Sequence, residues 1–297
     1  MALKFATNPI GWTNDDLPDL GKETTLEQCL SEARAAGYEG IEMGGKFPQD
    51  AAALNTLLGA HDLNLASGWW EGKILDRGVD AEFEAMQDYL QMLITLGVKH
   101  FVYGEGSCGR LEGIWKPISQ RPVLAETEWE SYAAALSTLA DRTEALGINL
   151  ALHPHMGTIV ETDAEIDRVM QLVGPSVKLA FDTGHCTFAG GDPVAVCAKH
   201  ADRIVHLHCK DIRTDKLNKA VSTDMSFMDA ILDGIFTVPG DGGVDFGAIL
   251  SSLQQANFDG WLVVEAEQNP EKAPPFFYAK LGFENLSTLA AEAGFAA

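Results

Sequence analysis

Short apolar runs alternate with amphipathic segments along the chain, a pattern that predicts strands followed by helices. The amphipathic segment that starts at Thr127 has its apolar residues at helical spacing, as one buried face requires. Glycines close several such segments, as Gly37 and Gly147 do. The predicted strands are 4–8, 39–43, 63–67, 98–103, 148–152, 177–182, 204–208 and 261–265, and the predicted helices include 25–36, 50–60, 80–96, 127–146, 193–200, 246–256 and 274–293.

Eight strand–helix units are the number in a closed (β/α)8 TIM barrel, which takes about 250 residues. The chain has 297 residues, so we predict one α/β barrel domain over 1–297. A doubly wound open sheet is the alternative, but no Gly-x-Gly-x-x-Gly pattern follows the first strand. Two long segments, about 104–126 and 211–245, follow strands and are candidates for a lid.

Acidic and imidazole residues stand at the carboxyl ends of four predicted strands. Asp182, His208 and Glu265 end the last three, and His153 follows the fifth. Strand ends of this kind converge on one rim of a parallel barrel, where barrel enzymes place their chemistry. Carboxylates and imidazoles together suit a divalent metal with open coordination positions. The sequence therefore predicts a metal-dependent enzyme.

Other polar residues near these strand ends are candidates for proton transfer. His155 shares a strand face with His153 and is an alternative metal ligand. His206 is predicted to be a hydrogen-bonded core residue. We predict that Glu161, with His155 or His185, transfers protons, although Glu161 also suits the first turn of a helix. Glu267 is expected to be solvated or salt-bridged.

A further set of residues is predicted to line a polyol pocket. Aromatic faces pack against the C–H faces of such rings, while amides, carboxylates and basic groups hold oxygen atoms. Lys210 is a further basic group near the rim. The predicted substrate-binding residues are Asn8, Trp12, Glu42, Lys46, Trp69 and Arg213.

The formal net charge of −22 disfavours binding to nucleic acids and anionic membranes. We therefore expect a neutral or cationic small molecule as the partner, and neither nucleic acid nor membrane. The five cysteines form no Cys-x-x-Cys pair and no apolar run approaches a membrane-spanning length, which leads us to expect a cytoplasmic protein with reduced thiols.

Six segments of the chain carry a resemblance to a known family. They are 8–18 (NPIGWTNDDLP), 44–48 (GGKFP), 153–158 (HPHMGT), 181–185 (FDTGH), 238–246 (VPGDGGVDF) and 261–267 (WLVVEAE). The sequence resembles the xylose-isomerase-like TIM-barrel superfamily of sugar isomerases and epimerases. Within it, the sequence is most similar to the inosose dehydratases (2-keto-myo-inositol dehydratases) of inositol catabolism.

The resemblance implies a metal site made of four strand-end residues. Asp182, His208 and Glu265 fall on three of the superfamily's positions. The fourth is normally a glutamate at the end of strand five, where this chain has His153, so the ligand there is His153, His155 or water. The resemblance also implies Mn²⁺ or Co²⁺ as the metal, and glutathione as a further cofactor.

The implied activity is the dehydration of 2-keto-myo-inositol (scyllo-inosose) to a trihydroxycyclohexane-1,2-dione through a metal-stabilised enolate. A ketose or polyol epimerase or isomerase that uses the same site is the runner-up. A DNA-repair endonuclease conflicts with the acidic charge, and a non-catalytic polyol-binding protein would not need open metal positions. A homodimer or tetramer is the assembly that this fold class leads us to expect.

Overall fold

The barrel strands are short apolar runs whose side chains are buried on both faces, as a parallel sheet covered by helices requires. The computed structural model describes residues 3–107 and 113–295. Eight parallel strands close into a barrel because the first pairs with the last, which confirms the predicted barrel and excludes an open sheet. They are β1 Lys4–Thr7, β2 Gly40–Met43, β3 Asn64–Gly72, β4 His100–Glu105, β5 Asn149–Leu152, β6 Lys178–Asp182, β7 Ile204–Cys209 and β10 Trp261–Val264.

Helices cover the outside of the barrel, and side-chain caps define several of their ends. The Thr25 hydroxyl accepts a hydrogen bond from the Gln28 N–H at the start of α1, and Gly37 ends that helix with a φ of 116°. The helices of the described residues are α1 Leu26–Ala36, α2 Ala51–Ala60, α3 Ile74–Ala85, α4 Gln87–Thr95, α5 Trp129–Ala145, α6 Asp163–Leu172, α7 Thr183–Phe188, α8 Pro193–His200, α9 Thr214–Ser222, α10 Phe227–Asp233, α11 Phe246–Gln255 and α12 Pro275–Glu292. None of these helices has the length and apolarity needed to span a membrane.

Two predicted elements differ from the structure. The strand predicted to end at residue 67 continues to Gly72, since Trp69 and Trp70 pair with β4. The single helix predicted over 80–96 is instead two helices, α3 and α4, of which α3 begins earlier and bends at Gly78. Buried Glu82 fixes this region because its carboxylate accepts hydrogen bonds from the Trp70 indole and the Lys73 N–H.

The two long rim segments contact each other. Pro117 pairs with Ser226 in an isolated β-bridge, and the Ile118 N–H donates to the Met225 carbonyl. The segment 211–245 also contains α9, α10 and an antiparallel pair of short strands, β8 Asp211–Ile212 and β9 Phe236–Thr237. Residues 108–112 of the predicted loop 104–126 lie outside the described residues.

The Asp211 carboxylate ties this segment together from inside the protein. The side chain is buried and accepts hydrogen bonds from the N–H groups of Ile212, Gly240, Gly242 and Val244. The glycine-rich turn 239–243 therefore folds around a carboxylate of its own chain, at the end of the strand that carries His208.

Replacement of Asp211 by Ala should lower the free energy of unfolding by about 2–4 kcal/mol, because four N–H donors lose the buried carboxylate that accepts from them. Urea unfolding of the purified variant measures this loss. Asp259→Ala removes an exposed carboxylate and is the matched control, with an expected change within about 0.5 kcal/mol. Equal losses in the two variants would contradict the role of Asp211.

Candidate metal centre and active site

A cavity opens at the carboxyl ends of the barrel strands. Strand-end side chains form part of its lining, as in other barrels of this type. Five of its lining residues are carboxylic acids. The lining residues are Asn8, Ile10, Asp15, Asp16, Glu42, Met43, Trp69, Val102, His153, His155, His208, Glu265 and Glu267.

His208 is held between carboxylates on both sides of its ring. Its Nε2 lies 3.1 Å from Glu42 Oε1, and its Nδ1 lies 2.7 Å from Glu265 Oε2. Glu42 Oε1 also lies 2.8 Å from the Nε2 of His206, and Glu42 Oε2 accepts a hydrogen bond of 2.7 Å from Asn8. Burial opposes charge on Glu42, but the two imidazoles outweigh it and hold its pKa well below the usual range. Glu42 therefore orients His208 with Nδ1 toward Glu265.

His153, Asp182, His208 and Glu265 can hold a divalent cation. Ligand atoms of His153, Asp182 and His208 lie within 4.8 Å of one another. Asp182 Oδ2 and His208 Nδ1 are buried and make no hydrogen bond of good geometry, although Lys210 Nζ lies 3.3 Å from the oxygen and Glu265 Oε2 lies 2.7 Å from the nitrogen. The Nδ1 of His153 is 3.0 Å from the Ala180 carbonyl, which leaves its Nε2 for a metal. A buried donor set of mixed nitrogen and oxygen atoms fits such an ion.

A second group of polar side chains lies beside this set. His155, His185 and Glu267 also place ligand atoms within 4.8 Å of one another, and the His155 and His185 rings are 3.8 Å apart between centroids. The Nδ1 of His155 is 2.6 Å from the Met156 carbonyl. Of the two imidazoles, His155 lines the cavity, whereas His185 is not among the cavity-lining residues.

Glu267 and Lys210 form a buried ion pair at this second group. Glu267 Oε1 lies 3.2 Å from Lys210 Nζ, while Glu267 Oε2 is buried without a hydrogen-bond partner. Burial raises the pKa of Glu267 to about 7, Lys210 acts against this rise, and Glu265 adds to it. The salt-bridged state that the sequence led us to expect for Glu267 is present, but inside the site.

Glu161 lies in a different place from the one predicted. It lines a second cavity, together with Arg121, Met156 and Phe227. Its Oε2 accepts a 2.6 Å hydrogen bond from the Gly157 N–H, and its Oε1 is 3.3 Å from Arg121 Nε. Burial raises the pKa of Glu161 to about 7. Because the carboxylate binds Gly157 and Arg121, it holds the turn after His155, and it is not among the residues that line the first cavity.

Asn8, Glu42 and Trp69 line the cavity, but the other three residues predicted to bind substrate lie elsewhere. The indole of Trp12 is buried and donates to Glu32 at 2.7 Å.

Lys46 donates to three backbone carbonyls of the turn 21–24. Arg213 donates to the carbonyls of Gly234 and Phe236 and pairs with Asp241, so it braces the rim segment. The polar groups of Lys46 and Arg213 therefore form hydrogen bonds within the fold.

Residues with no predicted role also reach the site. Asp15 and Asp16 line the cavity from the loop after β1, and Asp15 accepts a hydrogen bond from the Gly45 N–H. The sequence signal that could have identified them is a pair of adjacent acidic residues in a loop that follows a strand. Lys210, which was predicted as a basic group near the rim, is also at the site, but it is fully buried beside the metal-ligand candidates.

Glutathione does not fit the first cavity. Its two carboxylates would face the carboxyl groups of Asp15, Asp16, Glu42, Glu265 and Glu267. Like charges in a partly buried pocket repel strongly, so we assign glutathione no step at this site.

Comparisons with known proteins agree with the architecture. The model of the xylose isomerase-like TIM barrel family matches residues 30–282. A relative from Rhizobium meliloti, the rhizopine catabolism protein MocC, is 58% identical over 99% of this chain and 91% of its own length. An inosose dehydratase from Geobacillus thermodenitrificans (strain NG80-2) is 41% identical over 93% of this chain and 94% of its own length. Among solved structures, the IOLI protein with a bound zinc atom superimposes with a TM-score of 0.68 at 17% identity, covering 98% of each chain.

Replacement of Glu42 by Gln should weaken Mn²⁺ binding by about 10- to 100-fold, because the amide offers the two imidazoles and Asn8 a poorer acceptor. Calorimetric titration of metal-free protein with Mn²⁺ measures the change. Glu39→Gln alters an exposed glutamate just before the same strand and should bind Mn²⁺ like the unmodified protein. An unchanged affinity in Glu42→Gln would remove Glu42 from the metal centre.

Proposed function

Because this chain belongs to the xylose isomerase-like TIM barrel family, we propose that it is a metal-dependent hydro-lyase acting on 2-keto-myo-inositol (scyllo-inosose). The product would be a trihydroxycyclohexane-1,2-dione. The observation that supports this proposal best is the pairing of a metal-ligand set, His153, Asp182, His208 and Glu265, with a buried unpartnered carboxylate oxygen on Glu267. The similarity to inosose dehydratases supports the choice of substrate.

A bound Mn²⁺ or Co²⁺ would withdraw electron density from a ketone oxygen, which makes the neighbouring C–H more acidic. Glu267 lines the cavity and its Oε2 accepts no hydrogen bond, so it is suited to take the proton from that carbon. The hydroxyl on the next carbon then leaves as water after it accepts a proton, for which His155 is the cavity-lining candidate. The resulting enol tautomerises to the dione.

The remaining walls suit an uncharged polyol ring. Asn8, Asp15 and Asp16 offer hydrogen-bonding groups to hydroxyls, and Trp69 offers an aromatic surface beside His153 and His155. No lysine or arginine lines this cavity among the described residues, so the walls favour a free polyol over a sugar phosphate.

An epimerase or isomerase is the second candidate, since the same metal and base would also serve proton transfer next to a ketone. Such an enzyme returns the proton to carbon and eliminates no water. A further alternative substrate is rhizopine, after which the 58% identical relative is named. Product analysis separates all three.

The activity test is ultraviolet absorbance of metal-stripped protein given 2-keto-myo-inositol, before and after Mn²⁺ is added. We expect a metal-dependent rise, because a cyclic dione absorbs in the near ultraviolet and a sugar epimer does not. Rhizopine is tested in parallel. No rise, with Mn²⁺ shown to be bound, would rule out the dehydratase, and mass spectrometry of the mixture would then identify an isomerised polyol.

Two glutamate variants test the proton-transfer assignment. Glu267→Gln should lower kcat by about 10²- to 10⁴-fold, because it removes a base that faces the cavity. Glu161→Gln is the matched control, a substitution of equal size outside the cavity, and should retain kcat within about tenfold. Stopped assays with Mn²⁺ content measured in both proteins provide the comparison. The opposite ranking would move the base to Glu161.

A further inference from the structure

Lys210 places an ammonium group among the acidic residues of the site. Its Nζ lies 2.7 Å from Glu265 Oε1, 3.3 Å from Asp182 Oδ2 and 3.2 Å from Glu267 Oε1. The Nε2 of His185 is 3.0 Å away. The side chain is fully buried and therefore has no solvent alternative to these partners.

The residues packed around Lys210 leave space for its side chain. Its aliphatic stem crosses Gly184, where an added Cβ would lie 2.6 Å from Lys210 Cγ. The Thr183 hydroxyl donates to the Lys210 carbonyl and accepts from the Lys210 N–H. The ring of Phe236 lies 4.8 Å from Nζ. Helix α7 and strand β9 thus hold the ammonium in one position.

The ammonium contacts both groups of metal-ligand candidates. It touches Asp182 and Glu265 of the first set, and His185 and Glu267 of the second set, which His155 completes. A divalent ion on the second set would use atoms that Lys210 now binds and would lie next to a positive charge. The second set is therefore a cation site that the Lys210 ammonium already occupies.

The charges of the site agree with this interpretation. Asp182, Glu265 and Glu267 bring three negative charges when ionised, which one divalent ion and one ammonium balance. Without Lys210, one negative charge would remain buried without compensation, and buried charges require a partner.

We propose that the Lys210 ammonium takes the place of a second metal ion and keeps the centre mononuclear. His155, His185 and Glu267 then form a latent second site for a divalent transition-metal cation, which opens when Lys210 is replaced by an uncharged residue. This inference rests on the proposed metal site at His153, Asp182, His208 and Glu265.

The test is the Mn²⁺ content of Lys210→Met after desalting, measured by elemental mass spectrometry. We expect one ion per chain in the unmodified protein and two in the variant, with spin coupling between the ions in the electron paramagnetic resonance spectrum. Lys210→Arg keeps a positive charge and should bind one ion. The double variant Lys210→Met with Glu267→Gln should return to one.

The outcomes separate the two proposals. An unmodified protein that binds no Mn²⁺ would overturn the proposed metal-dependent function. One ion in folded Lys210→Met, or two ions that persist in the double variant, would overturn the role of Lys210 alone. If Lys210→Met does not fold, crystals of the unmodified protein soaked in 10 mM Mn²⁺ provide a second test of the role of Lys210. A single anomalous peak at the first set supports the inference, and a second peak at His155, His185 and Glu267 contradicts it.

Discussion

The balance of buried charge at the carboxyl ends of the barrel strands is the constraint on which the site depends. Parallel strands that close into a barrel bring their carboxyl ends together, so acidic residues that are far apart in sequence become neighbours. Such groups are tolerated out of water only when they are paired. Glu42 meets two imidazoles, and Asp182, Glu265 and Glu267 share one ammonium. The same residues therefore serve stability and ligand chemistry.

The parts of the site that could be predicted from the sequence follow directly from strand geometry. A buried apolar run determines where a strand ends, and the first polar residue after it must point into the rim, as Asp182 and Glu265 do. The positions of His153 and His208 could be predicted in the same way. The closed barrel was equally predictable, because eight repeated strand–helix units leave few other arrangements.

The rest depended on loops and on contacts between distant segments. Glu161 was expected to transfer protons from the end of the loop after strand five, but it lies beside Arg121 in the second cavity. Lys46 and Arg213 carry the right charge, yet backbone carbonyls of neighbouring turns bind them. Lys210 was expected near the rim, but its burial could not be predicted, because it depends on the packing of other elements around the side chain. Side-chain direction in such segments is a property of the assembled fold.

The β-bridge between Pro117 and Ser226 joins the two longest rim segments to each other. The bond from the Ile118 N–H to the Met225 carbonyl and the contact of Ser119 with Asp224 belong to the same seam. Each segment thus supplies part of the hydrogen-bonding surface of the other, although helices α5 to α8 and strands β5 to β7 separate the two segments in sequence. Recombination between relatives that exchanges one segment without the other would leave this seam mismatched. The pair should therefore be inherited, and transplanted onto another barrel, as one module.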